Sequence, residues 1–215
     1  MLPNCMPPVC GPPWLGTAER SLAAVQEWKR IEAAQGPRFV SALQPQEVAL
    51  LRTMVSSIHD MLADRQASAP GDPLEEITGI RTGNPAPPDD ATMNRLLPDF
   101  LAGEPDSTQP RGANGALRSL HEPAIIDMKI AAGQRLLDTL PDGGGPIELT
   151  ESEAAAWVAA VNDIRLTLAT LLDIGPEFPD RLPAQHPMAP HFEVYQWLTY
   201  LQEYLVLGLM GKGLR

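Results

Sequence analysis

The stretch Thr150–Ile174, TESEAAAWVAAVNDIRLTLATLLDI, decides the fold of this 215-residue chain. Thr150 is a favoured N-cap residue, and Glu153 supplies the second half of a capping box. Glu151 and Glu153 sit where the helix dipole favours negative charge. No Pro or Gly interrupts the run before Gly175-Pro176. Ala154, Trp157, Val161, Ile164, Leu168 and Leu171 recur at alternating steps of three and four, which is one stripe of an amphipathic helix. Val158, Ala169 and Leu172 widen that stripe. A stripe so wide predicts a central helix that touches more than one neighbour.

Its partner is the last long apolar segment, His191–Met210, HFEVYQWLTYLQEYLVLGLM. Val194, Leu198, Leu201, Leu205 and Leu209 form the stripe of a second helix. Polar residues break both patterns. Arg165 falls inside the apolar sector of the central helix, and Asn162 lies at its edge. Gln202 projects from the middle of the last helix's stripe, with Glu203 nearer the edge. Asp163 points away from the sector. A buried arginine needs partners, because removing one from a buried pair costs about 3–5 kcal/mol. Asn162, Asp163, Arg165, Gln202 and Glu203 are therefore the candidate polar network. Trp197, Tyr200 and Tyr204 lie close together on one flank of the last helix. They read either as core or as an exposed partner-binding patch.

The two segments together resemble an actinobacterial family, the domain of unknown function numbered two thousand and seventeen. The resemblance rests on WVAAVNDIRLTLATLL and VYQWLTYLQEYLV, through Trp157, Asn162, Asp163, Arg165 and Leu166, then Tyr195, Trp197, Leu198, Leu201, Gln202 and Glu203. Upstream, WKRIEAAQGPRF, QEVALLRTMV and RLLPD look like the family's opening and middle, so the likeness runs from about Val25 to the end. It implies a mostly helical cytoplasmic domain without an established activity. Some members carry a transcriptional-regulator label. Members are often encoded beside a Clp-protease adaptor, a contextual link to proteolysis.

Composition narrows the classes. The hydrophobic fraction of 44% suits a globular domain. The formal net charge of -11 opposes binding to nucleic-acid backbones and to anionic membrane surfaces. The most apolar long segment carries Glu193, Gln196, Gln202 and Glu203, which is wrong for a membrane span. The N-terminus lacks the basic start and apolar run of a signal peptide. The two cysteines, Cys5 and Cys10, have neither zinc-knuckle nor redox-pair spacing. A reducing, cytoplasmic protein is expected.

Along the chain, residues 1–24 read as a Pro-rich extension, disordered or dispensable, that precedes a single domain over 25–215. Trp28–Glu32 and Arg38–Leu43 flank Gln35-Gly36-Pro37 and predict a short β-hairpin. Its Lys29, Arg30 and Arg38 are the one local cluster of positive charge. Pro45 and Glu47 open a helix with the stripe Val48, Leu51, Met54 or Val55, Ile58 and Leu62. Asp72–Ile77 predicts a short helix. Asp89 or Asp90 caps another through Met93, Leu96, Leu97 and Leu101, kinked or interrupted by Pro98. A further helix is expected from Glu122-Pro123 to Leu140, and PDGGGP, 141–146, is a break before the central helix. Mobile loops are expected near 66–72, 78–88, 103–115 and 175–190. The 78–88 loop lacks the spacing of a phosphate-binding loop. The expected fold is mainly α, a helical-bundle-like domain of about five to six helices with the N-terminal hairpin.

No motif points to catalysis, a metal or a cofactor. His59 sits alone beside an apolar stripe. His186 and His191 flank two prolines and could chelate a metal, but no Cys or carboxylate completes a plausible set, so a loop is preferred. The preferred reading is a non-enzymatic protein-interaction or regulatory module with an unidentified protein partner, and homo-oligomerisation open. A DNA-binding regulator is the second reading, opposed by the acidic charge. An enzyme using Asp163, Arg165 and Glu203 is the third, since carboxylates on adjacent helices can act as acid and base.

Overall fold

The computed structural model describes residues 28–71, 75, 79, 81–101 and 108–212. Residues 1–27, with Cys5 and Cys10, lie outside these, as does nearly all of the short helix expected over 72–77. The first described elements are the hairpin strands β1 (Lys29–Ala33) and β2 (Gly36–Leu43), joined by the turn Ala34-Gln35, so Gly36 and Pro37 open the second strand and are not the turn itself. Helix α1 (Pro45–Ala67) follows at once. It starts where expected because the Gln44 backbone N–H donates to the Glu47 carboxylate at 2.7 Å and Pro45 needs no donor partner. Helix α2 (Ala91–Leu96) begins at Asp90, whose Oδ1 accepts from the Met93 N–H at 2.9 Å. It stops before Pro98, which disfavours helical backbone at the preceding residue.

Helix α3 (Thr108–Thr139) starts well ahead of the expected Glu122-Pro123. Part of the stretch expected as a loop, 103–115, is therefore helix. Pro123 is not an opening residue but an interior one. Lacking an N–H, it leaves the Ser119 carbonyl without its helical donor. The Gly83 N–H fills that place at 2.7 Å. A Cβ on Gly83 would lie 2.9 Å from Pro123 Cδ, so the loop can approach only as glycine. The composition of 103–115 had suggested a break. Tertiary contacts override it: Asn114 is buried, takes the Leu101 N–H at 2.9 Å and returns a bond to the Leu101 carbonyl at 3.0 Å.

The break at 141–146 leads into a third strand, β3 (Gly145–Thr150), which pairs antiparallel with β2. The sheet order is β1-β2-β3. Gly144 makes the return possible: its φ is +90°, and a Cβ there would meet the Leu43 carbonyl at 2.9 Å. Phe39 and Leu43 of β2 and Ile147 and Leu149 of β3 are buried. This face packs on helix α4 (Glu151–Leu171). Thr150 ends β3 and caps α4 in the same step. Its Oγ1 accepts from the Glu153 N–H at 3.3 Å, and its own N–H donates to Glu153 Oε2 at 2.9 Å.

Helix α4 is the centre. It packs against α1, α2, α3, β2, β3 and the last helix, α5 (Ala189–Leu209). Trp157, Val161, Ile164 and Leu168 are buried along it. Trp157 meets Trp28 edge-on at a centroid distance of 5.7 Å, and its indole N–H donates to Thr139 Oγ1 at 2.7 Å. The architecture is mainly α, with five helices and a three-stranded antiparallel sheet among the described residues. No helix there is long and apolar enough to cross a membrane.

Candidate functional site

The seam between α4 and α5 gathers polar groups beside an open aromatic groove. Arg165 is half-buried there. Its Nε donates to Thr199 Oγ1 at 3.0 Å, and its Nη1 donates to Gln202 Oε1. The Gln202 amide then donates to the Val158 carbonyl at 3.2 Å, back on α4. The guanidinium also lies over the Tyr195 ring, 5.4 Å from its centroid, in cation–π contact. Thr199 Oγ1 donates its own hydrogen bond to the Tyr195 carbonyl at 2.8 Å. Among the described residues, every partner of Arg165 is neutral. A weakly hydrated, delocalised cation tolerates that better than an ammonium would.

The other expected members do not join this contact. Asp163 is buried on the side facing α3, where Lys129 Nζ donates to its Oδ1 at 2.6 Å. Burial raises the Asp163 pKa above its ordinary value, while the Lys129 charge and hydrogen bond pull it down. Asn162 is half-buried and takes no part in the hydrogen bonds of Arg165. Glu203 lies exposed. Asp163, Arg165 and Glu203 thus do not converge on one point. Helix geometry explains it, since residues two apart project to opposite sides.

The aromatic flank also divides. Trp197 is buried, and its indole lies in hydrogen-bonding reach of the Glu47 carboxylate. Burial pushes the Glu47 pKa up, and the bonds from Gln44 and Trp197 oppose this. Tyr204 is half-buried against the hairpin end of the molecule. Tyr200 is 52% exposed and lines an open groove of about 280 Å³ with Phe178, Phe192 and Tyr195. Phe192 stacks on Tyr195 at 6.1 Å and meets Phe178 at 5.2 Å. Of the three expected patch residues, Tyr200 alone faces this groove.

A second polar cluster has no counterpart in the sequence expectations. Arg118 and Glu122, one turn apart on α3, are 1% and 2% exposed. Arg118 Nη1 donates to Glu122 Oε2 at 2.7 Å and to the Leu97 carbonyl at 3.1 Å, and Nη2 reaches Asp99 Oδ1 at 2.8 Å. Arg65 of α1 donates from Nε to Glu122 Oε1 at 2.6 Å and from Nη2 to the Ala86 carbonyl at 2.6 Å. The cluster ties α1, α3 and the segments before and after α2 to one carboxylate. The i,i+4 spacing of Arg118 and Glu122 was the only sequence signal, and solvent-exposed helix faces show the same spacing. Among the described residues, no group of three or more His, Cys, Asp or Glu is placed to hold a metal ion.

Residues 25–209 match the family described as a domain of unknown function, DUF2017. The chain belongs to this family. It is also 56% identical, over 96% of its length and the full length of each relative, to the proteins named oxidative stress regulator AosR of Mycobacterium bovis and Mycobacterium tuberculosis. A Mycobacterium leprae relative is 52% identical over 96% of this chain and all of its own. No solved structure matches the chain. These relatives of the DUF2017 member are named as regulators, and the family description itself gives no function.

Proposed function

We propose that the protein regulates the cellular response to oxidants and does so by binding other proteins. The observation that carries the first half is the 56% identity, across 96% of this chain, to proteins named as oxidative stress regulators. Surface chemistry supports the second half. The net charge of -11 repels phosphate backbones. The exposed residues of α4 and α5 include Glu151, Glu193, Tyr200 and Glu203 and no Lys or Arg. A recognition helix needs the opposite pattern. The groove under Tyr200 has the composition that accepts an apolar or aromatic anchor from a partner protein. Asp163, Arg165 and Glu203 lie apart, which weakens the acid–base reading.

Oxidants act first on accessible thiolates, and this chain has two thiols, Cys5 and Cys10. The reading is tested in a Mycobacterium bovis strain that lacks its relative and expresses this chain. Survival of a peroxide challenge should return toward the wild-type level. Soluble expression without any recovery would overturn the proposal. A chain carrying Cys5→Ser and Cys10→Ser separates direct sensing from a downstream role. A Tyr200→Ala chain asks whether the groove carries the partner.

A further inference from the structure

Strand β1 is an edge of the sheet, with no described strand on its outer side. All five of its residues are exposed, and Ile31 is 44% exposed. A groove of about 680 Å³ runs beside it. Trp28 and each residue from Lys29 to Glu32 line one side, and Tyr204, Leu207 and Lys212 line the other. Consecutive strand residues point to opposite faces of a sheet. A groove touching all of them must therefore follow the backbone edge, where N–H and C=O groups await a partner strand.

The sequence of that edge, KRIEA, is complementary to itself. We propose that β1 pairs antiparallel with β1 of a second copy of this chain, about a two-fold axis at Ile31, to make a six-stranded sheet. In this register Ile31 faces its own counterpart, Arg30 faces the second copy's Glu32, and Lys29 faces Ala33. Alternative registers are worse. A shift by one residue turns the core side of one sheet toward the solvent side of the other. A two-fold centred on Arg30 or on Glu32 sets like charges directly opposite, which is destabilising. Arg30 and Glu32 share one face of the strand and are already paired within the chain at 3.0 Å. Dimerisation gives each a second opposite charge. The Ile31 side chains meet on the other face and leave water together. The groove gives the incoming strand room beside the end of α5. A two-fold edge-to-edge contact closes on itself, so assembly stops at two copies.

Sedimentation of the full chain across the micromolar range tests this. The mass should rise from one chain to two as concentration increases. Glu32→Arg places four arginines across the two-fold, and Arg30→Glu places four glutamates there. Each variant alone should stay at one chain mass. Mixed in equal amounts, they should form a heterodimer, because each strand then meets its opposite in charge. Recovery on mixing also shows that both variants are folded. A wild-type chain that stays monomeric throughout would overturn the proposal, whether the edge is bare or covered by its own chain. Variants that dimerise like the wild type, or a mixture that fails to pair, would overturn it equally.

Discussion

Arg118 and Arg165 each lie on a long helix that packs against its neighbours, and the fold treats them differently. Arg118 is 1% exposed and is matched to carboxylates, Glu122 and Asp99. Arg165 is half-buried and is matched to a threonine, a glutamine and a tyrosine ring. The contrast follows from dielectric. A guanidinium almost wholly removed from water needs a countercharge, since its desolvation exceeds what neutral hydrogen bonds return. One that keeps part of its hydration can be held by dipoles and an aromatic face. The difference teaches where each cluster does its work. The Arg118 cluster clamps α1, α3 and the α2 segments together. The Arg165 cluster links α4 to α5 and borders the aromatic groove.

The largest effect should come from Glu122→Gln. It leaves Arg65 and Arg118 facing each other with one carboxylate removed, and among the described residues Asp99 is the one acid still paired with Arg118. A loss of about 3–5 kcal/mol is expected from urea unfolding. A loss below about 1 kcal/mol would mean that water screens the cluster as it does a surface pair, and the comparison would collapse.

Smaller effects are expected at the other seam. Arg165→Ala and Gln202→Ala should each cost about 1–3 kcal/mol, the range for hydrogen bonds to a charged group and for a partner left unmatched. The double variant should lose less than the sum, because the two residues share one contact. Arg165→Met should do better than Arg165→Ala, since it keeps volume in the stripe. Strict additivity would show that Arg165 and Gln202 act separately.

A third group, half-buried, sharpens the rule with the smallest effect: His59 on α1 has no ion pair among the described residues. Its Nε2 is buried without a hydrogen-bond partner among the described residues. A Cβ on Gly133 would lie 2.3 Å from that atom. Burial lowers the His59 pKa from its ordinary value, opposed by the nearby Ile130 backbone and the charge of Asp60. The unfolded chain therefore takes up the proton first. This contribution to stability is intact above the unfolded value of about 6.5 and is lost as pH falls below it toward the folded value. The raised Asp163 and Glu47 act in the opposite sense at lower pH, because the folded chain binds their protons first. The difference between wild type and His59→Leu isolates the histidine. The variant should lose less stability than wild type between pH 7 and pH 5.5, on the order of a few tenths to one kcal/mol. Equal acid slopes would show that His59 is solvated.

Much of the frame was legible in the residues alone. The Thr150–Glu153 box, the unbroken apolar stripe after it and the Gly-Pro stop belong to local backbone chemistry, which acts within one or two turns. The hairpin and the opening of α1 at Pro45 were readable for the same reason. The two long stripes also predicted that α4 and α5 meet, and Arg165 does bond Gln202 across their seam.

Tertiary structure decided what local chemistry could not. Pro123 reads as a helix start, and it became an interior residue because Gly83, forty residues away in sequence, supplies the missing donor. The strand Gly145–Thr150 carries a period-two pattern at Ile147 and Leu149, but only its pairing with β2 makes it a strand. Asp163 and Arg165 sit two residues apart and serve different helices. Arg118 and Glu122 have the spacing of a surface pair, and neighbours from α1 and from the segment after α2 close over them. In each case burial is set by chain distant in sequence. Periodicity can say that a side chain leaves one face of its helix, and only the packed fold says what waits there.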